Sequence, residues 1–300
     1  MRQKHSNYFT KSREKIIRKN LLATLVYSDI FDYPLSANQL FQFSGVAMTR
    51  KEFLTVVKTI PHKISGSSLY YFLPKREAIV AKRIQREKIS KKKIRRLTSF
   101  VKILSFLPTI SFIGISGSLA LMNADTMSDS DIFIIAKSHT LWLTRFFVYI
   151  VLSLFSLKRS KKNTGSAICA NMFVSASLLE FPKEKRNLYL AHEILQLVPL
   201  YNSEKQYEKF LGANTWITQY FPNTSIKKIQ KRKSFSLWDF LLPIEFVLWK
   251  AQIWYMRNKK TREVTTSNRI AFHPIDYEGI ILYTYEKRLK GLGFSIKYKG

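Results

Sequence analysis

The chain has 300 residues, 46% of them hydrophobic and 14% aromatic, which excludes intrinsic disorder over most of its length. Lys and Arg number 50 against 20 Asp and Glu, and the resulting net charge of +30 points to a polyanion: nucleic acid, nucleotide phosphates or an anionic membrane face. A lysine-rich composition that only keeps the chain in solution gives the same sum. A single cysteine, Cys169, excludes a disulfide framework and any multi-cysteine metal site, and with no secretory signal visible the expected location is cytoplasmic.

The first 75 residues predict three short helices and a hairpin. Ile17, Leu21, Leu25 and Val26 recur at helical spacing until Pro34 stops the pattern. Ser36 has the character of an N-cap, and Thr49 with Glu52 three residues later makes a capping box. A polar turn at 65–68 then leads into the strand-forming Leu69-Tyr-Tyr-Phe. Helix, helix, helix, hairpin is the order of a winged helix, which serves DNA binding or protein assembly.

Residues 75–96 carry eleven Lys or Arg against two Glu, a balance of +9, and predict one long basic helix linking two domains over 76–97. Its cationic face would suit a phosphate backbone or simply water. Beyond it, over 98–182, strands are expected at 112–115, 131–136 and 167–174, alternating with helices. That alternation predicts an α/β (α+β) architecture with a mixed sheet. The almost wholly apolar stretch 141–157 falls short of a bilayer span of about 20 residues. It is expected to be a helix buried between the sheet and another layer, and membrane contact is not expected; peripheral membrane attachment through it and the flanking Lys158-Arg-Ser-Lys-Lys is the other reading. From 183 to 300 the pattern predicts a helical region, with helices at 187–197, 203–220, 237–256 and 277–289, broken near Pro199 and Pro222.

The chemistry concentrates in Gly117-Ser-Leu-Ala-Leu-Met-Asn-Ala-Asp-Thr-Met-Ser-Asp-Ser-Asp131. Gly117 lets backbone approach a ligand closely, and Ser118 adds a hydroxyl donor for phosphate oxygens. Asp129 and Asp131, two apart at a strand start, are expected to project side by side and to share a cation. Mg²⁺ is the natural one, a hard ion that takes carboxylate and phosphate oxygens together.

This segment resembles the signature of the DNA polymerase beta-like nucleotidyltransferase superfamily, and is most similar to its minimal prokaryotic type. In the pattern Gly-Ser-x-Ala-x-Gly-x-Ala-x-x-x-Ser-Asp-x-Asp-hydrophobic, Gly117, Ser118, Ala120, Ala124, Ser128, Asp129, Asp131 and Ile132 fall in register. The whole chain also resembles a bacterial group of nucleotidyltransferase-domain proteins with the same domain order. The resemblance implies Mg²⁺-dependent transfer of an NMP group from an NTP to an acceptor hydroxyl on nucleic acid, protein or a small molecule. It implies Asp129 and Asp131 as catalytic metal ligands, and Gly117, Ser118 and Ser128 as nucleotide-binding residues. DNA or RNA would be held by the winged helix and the basic helix. Met122 departs from the family's glycine, and Ser130 from its apolar residue. Asn171 stands where the third carboxylate is expected; an amide can offer a metal its carbonyl but cannot take a proton. Glu180 and Asp125 are the alternative third acids. A catalytically degenerate DNA-binding or regulatory protein is the other reading.

Arg186 and His192 fit a loose ribonuclease pattern, but six residues apart they do not share a helix face, and they read as structural. His273 with Asp276, and His5 and His62, likewise read as structural.

Overall fold

The computed structural model describes residues 2–65, 68–157, 165–229, 238–257, 264–266, 268–271 and 276–294. The chain begins with α1 (Arg2–Asp29), followed by the two-residue strand β1 (Leu35–Ser36), α2 (Ala37–Gln42) and α3 (Arg50–Val57). Both expected caps form. The Ser36 hydroxyl accepts from Gln39 N and the Thr49 hydroxyl from Glu52 N, while each partner side chain reaches back to the cap's own N–H. Strands β2 (His62–Ser65) and β3 (Ser68–Tyr71) pair with β1 in an antiparallel sheet of order β1-β3-β2.

The basic stretch forms α4 (Ala78–Leu104), longer than the 76–97 linker expected. It does not bridge two bodies through solvent. Leu97, Phe100, Val101 and Leu104 at its C-terminal end are buried beneath the larger sheet, so its helical pattern continues into a second core. Nor is its cationic face wholly solvated. Arg83 is 7% exposed: it donates to the Pro34 carbonyl and to Glu87, and its guanidinium lies 4.3 Å from the Tyr33 ring centroid and 4.7 Å from that of Tyr70. Lys88, Lys91, Lys92, Arg95 and Arg96 remain exposed.

The larger sheet is mixed. Strand β4 (Ile110–Ile115) leads through the single-turn α5 (Gly117–Ala120) to β5 (Ser130–Ala136), and α6 (Leu141–Leu154) carries the chain to β6 (Ile168–Ser175). Then come α7 (Leu188–Leu195), β7 (Val198–Asn202), α8 (Gln206–Ala213), α9 (Leu242–Met256), β8 (Val264–Thr265), β9 (Arg269–Ala271) and α10 (Tyr277–Gly291). The strand order is β7-β4-β5-β6-β9-β8, with β5 and β6 parallel and the other neighbours antiparallel.

The region after 183 is therefore not purely helical: it supplies strands to both edges of this sheet. Pro199, expected to break a helix, sits in β7, an edge strand where a missing N–H is tolerated. The stretch 203–220 is broken too, because Glu204 and Lys205 adopt left-handed φ of 52° and 54° before α8 begins.

Two cores follow from the period-2 alternation of the strands. Phe112, Phe133, Ile135 and Val174 face α1, α7, α8 and α10, while Ile113, Ile115, Ile132, Ile134 and Phe173 face α4, α6 and α9. The N-terminal helices share the first of these cores with the C-terminal ones, and Met48 N donates to Asn223 Oδ1 at 3.0 Å across that junction. Helix α6 is covered on one side only, by the sheet and α9, and Phe146, Phe147, Ile150 and Leu154 stay exposed, contrary to the expectation of full burial. Among the described residues no helix is long and apolar enough to cross a membrane.

Candidate active site

Strand β4 ends at Ile115 and the chain turns at Gly117, whose φ of +60° is left-handed. An added Cβ there would stand 2.8 Å from Asp131 Oδ2. Glycine suits the backbone angle, and any side chain there would have to displace the carboxylate pressed against it. The neighbouring strand locks this approach, since Ser116 N donates to the Asp131 carbonyl at 3.0 Å.

The loop after the turn is tied down residue by residue. Asn123 N donates to the Ser118 carbonyl at 2.8 Å, its amide group donates to Phe31 O, and Arg86 donates to its Oδ1. Met122, where the resembled pattern has glycine, has a φ of 57°, the conformation glycine adopts without strain. Asp125 Oδ1 accepts from Met127 N, Ser128 N and Ser128 Oγ at 2.7 to 2.9 Å, which holds its carboxyl below the usual range. Lys93 from α4 donates to the carbonyls of Thr126, Ser128 and Gly165, and its burial lowers the ammonium pKa.

A cavity of about 340 Å³ opens beside the turn. Gly117, Ser118, Asp131 and Asn171 line it from the sheet, Tyr189, His192 and Glu193 from α7, and Tyr27, Phe31 and Tyr277 from the surrounding helical segments. Asp129 and Ser128 do not line it. Asp129 precedes the first residue of β5, so the strand's alternation does not bind its direction to that of Asp131, and its charge is felt by Lys93. Ser128 is engaged with Asp125.

Asn171 reaches Asp131 because it shares the face of Cys169, the register partner of Asp131, and it stands at an irregularity in the sheet. The register of β5 against β6 runs from Ile132–Ala170 to Phe133–Met172, which leaves Asn171 as the extra residue of a bulge. Its amide nitrogen donates to Asp131 Oδ1, and its oxygen accepts from Cys169 Sγ at 2.7 Å. The other two candidate third acids are spent elsewhere: Asp125 closes its own loop, and exposed Glu180 pairs with Arg186 at 2.7 Å.

The carboxylate brought to the cavity is Glu193, which the sequence reading missed. Asp131 shares its strand face with Phe133 and Ile135, the face that α7 covers, so Glu193 on α7 lies over it. Withdrawal from water and the negative charge of Asp131 push its pKa up to about 7. A lone acid in the apolar run Leu188-Tyr-Leu-Ala-His-Glu-Ile-Leu was the available signal. A carboxyl titrating there can take or give a proton near neutral pH.

His192, by contrast, is a core residue. It stacks on Tyr27 at 4.1 Å and 6°, packs edge-on to Phe221, and burial pushes its pKa down to about 3, so it is neutral. Arg186 points away from it, to Glu180 and the Phe181 carbonyl. The His273 position lies outside the described residues, as do the side chain of His5 and part of the basic link 227–233.

Among the described residues no three His, Cys, Asp or Glu side chains gather closely enough to hold a metal. The donors present do not make an all-protein cage. Asp131 and Glu193 are the carboxylates that line the cavity, and Mg²⁺ is commonly bound by one or two carboxylates with phosphate oxygens and water completing the shell. Compared with family models, with curated proteins and with solved structures, the chain matches none.

Proposed function

We propose that this chain is a nucleotidyltransferase of the DNA polymerase beta-like kind, moving an NMP group from an NTP to an acceptor hydroxyl. The observation that carries the reading is the Asp131 carboxylate pressed against the left-handed turn at Gly117, at the wall of a cavity beside Ser118. Asp131, with Asp129 nearby, would hold Mg²⁺, which when bound supplies positive charge to the triphosphate. Gly117 and Ser118 receive phosphate oxygens.

The acceptor oxygen attacks the α-phosphorus, the bond to the β-phosphate oxygen breaks, and pyrophosphate leaves. Glu193 in its ionised form takes the acceptor's proton, a role Asn171 cannot fill. The aromatic wall formed by Tyr27, Phe31 and Tyr189 favours an acceptor that brings a small planar or apolar group, since a double helix does not enter a cavity of this size. The test is labelling with α-³²P NTPs in Mg²⁺ against candidate acceptors. Asp129→Asn with Asp131→Asn should abolish label while leaving the circular dichroism unchanged; surviving label overturns the proposal.

A second reading has its own support. Asn171 donates to Asp131, so one oxygen of the central carboxylate is already engaged by a neutral amide. This favours a degenerate core in a regulatory protein whose N-terminal unit, with the helix and strand order of a winged helix, binds DNA through exposed Lys51 of α3 and Lys58 just after it. Salt-dependent DNA binding that is lost in Lys51→Glu/Lys58→Glu, with no labelling activity, would support it.

A further inference from the structure

Helix α9 is apolar on both sides. Leu248, Trp249, Ile253 and Met256 pack toward the core, and two polar side chains join them there. Glu245, 8% exposed, accepts from Trp142 N at 2.7 Å and Leu143 N at 2.9 Å, capping the first turn of α6. Gln252 donates to the Trp142 carbonyl at 2.9 Å and accepts from Arg145. Its other apolar side chains face water: Phe246 is 55% exposed, Val247 63%, Trp254 65% and Tyr255 61%. A surface helix ordinarily carries polar residues on that side. Packed beside it, α6 leaves Phe146, Phe147, Ile150 and Leu154 uncovered.

Charge identifies what covers this face. The exposed cation within it is Lys250, whose ammonium lies 4.8 Å from the Trp249 ring centroid, and Arg257 follows at the helix end. In sequence, α6 is followed by Lys158, Arg159, Lys161 and Lys162, and α9 by Lys259, Lys260 and Arg262. An apolar face that carries Lys250, ends at Arg257 and runs on in sequence into basic residues complements an anionic bilayer surface, where Trp and Tyr rings sit at headgroup level and lysines reach the phosphates. A second copy of a chain carrying +30 would instead bring like charges together. Helices of 14 and 15 residues are about 21 and 22 Å long, short of the ~30 Å hydrocarbon core, so they would lie in the interface and not span it.

We propose that the α6–α9 face docks this protein on anionic lipid. The test is co-sedimentation of the full chain with phosphatidylcholine vesicles, with or without 30% phosphatidylglycerol. Pelleting with the anionic vesicles is expected, weakened in 0.5 M salt and reduced at least tenfold in Val247→Glu/Trp254→Glu, whose fold is checked by thermal melting. Should that variant melt early, Tyr255→Glu alone replaces it. Wild-type protein left in the supernatant with anionic vesicles overturns the proposal. So does a variant that pellets like wild type, because the cations alone would then explain binding. A dimer in light scattering that the variant dissociates, without vesicle binding, assigns the face to self-association and also overturns it.

Discussion

The carboxylate of Asp131 occupies the space that a side chain at position 117 would need, with Oδ2 2.8 Å from the place of a Cβ. Gly117→Ala therefore has two costs: a left-handed backbone that alanine resists, and displacement of the carboxylate. Strain of this kind is on the order of 1–3 kcal/mol. We expect a lower melting temperature together with at least tenfold loss of NTP labelling. An alanine variant that melts and labels like the parent would show that the turn and the carboxylate are not a unit.

Asn171→Asp places a second negative charge beside Asp131, on the wall of the same cavity. Without divalent cation the two carboxylates repel, so the variant should melt below the parent. Mg²⁺ should then raise its melting temperature more than it raises that of the parent. Equal Mg²⁺ responses would argue against a cation site at Asp131.

His192 and Glu193, adjacent in sequence, give stability opposite pH slopes. The folded pKa of Glu193 is raised from 4.5 to about 7, so the folded state holds a proton the unfolded chain has lost, and stability falls as pH rises between those values. The folded pKa of His192 is lowered from 6.5 to about 3, so the unfolded chain gains a proton the folded state refuses, and stability falls as pH drops below 6.5. Between pH 4.5 and 6.5 the two slopes nearly cancel in the parent. Melting temperatures across pH 4 to 8 should therefore unmask the acid loss in Glu193→Gln and the alkaline loss in His192→Phe. The same Glu193→Gln change should lower labelling at pH 8 far more than it lowers NTP binding.

Arg83 is held between two tyrosine rings and bonded to Pro34 O and Glu87. Arg83→Ala removes a buried partner and should cost about 3 kcal/mol. Arg83→Lys should recover little, because an ammonium cannot reproduce the planar stack. Urea denaturation of both variants checks this, and full recovery by lysine would mean that charge alone matters there.

Local chemistry was legible from residue order. The capping boxes at Ser36 and Thr49, the strands around 112–115 and 131–136, and the Gly117 turn all depend on neighbours within a few residues, where side chain and backbone meet directly. Pairings over long separations were not. Arg83 looked like one more solvated cation, since nothing within its helix reveals Tyr33 and Tyr70 closing around it. Pro199 looked like a helix breaker, because only β4 alongside it makes its segment an edge strand. Glu193 lies 62 residues beyond Asp131, and its proton affinity near neutrality exists only where α7 crosses that strand face. Residue order alone carried the motif and the charge. Which carboxylate joins Asp131, and which side of α9 meets water, came from how the elements pack, because burial and field strength belong to the space between elements and not to any one of them.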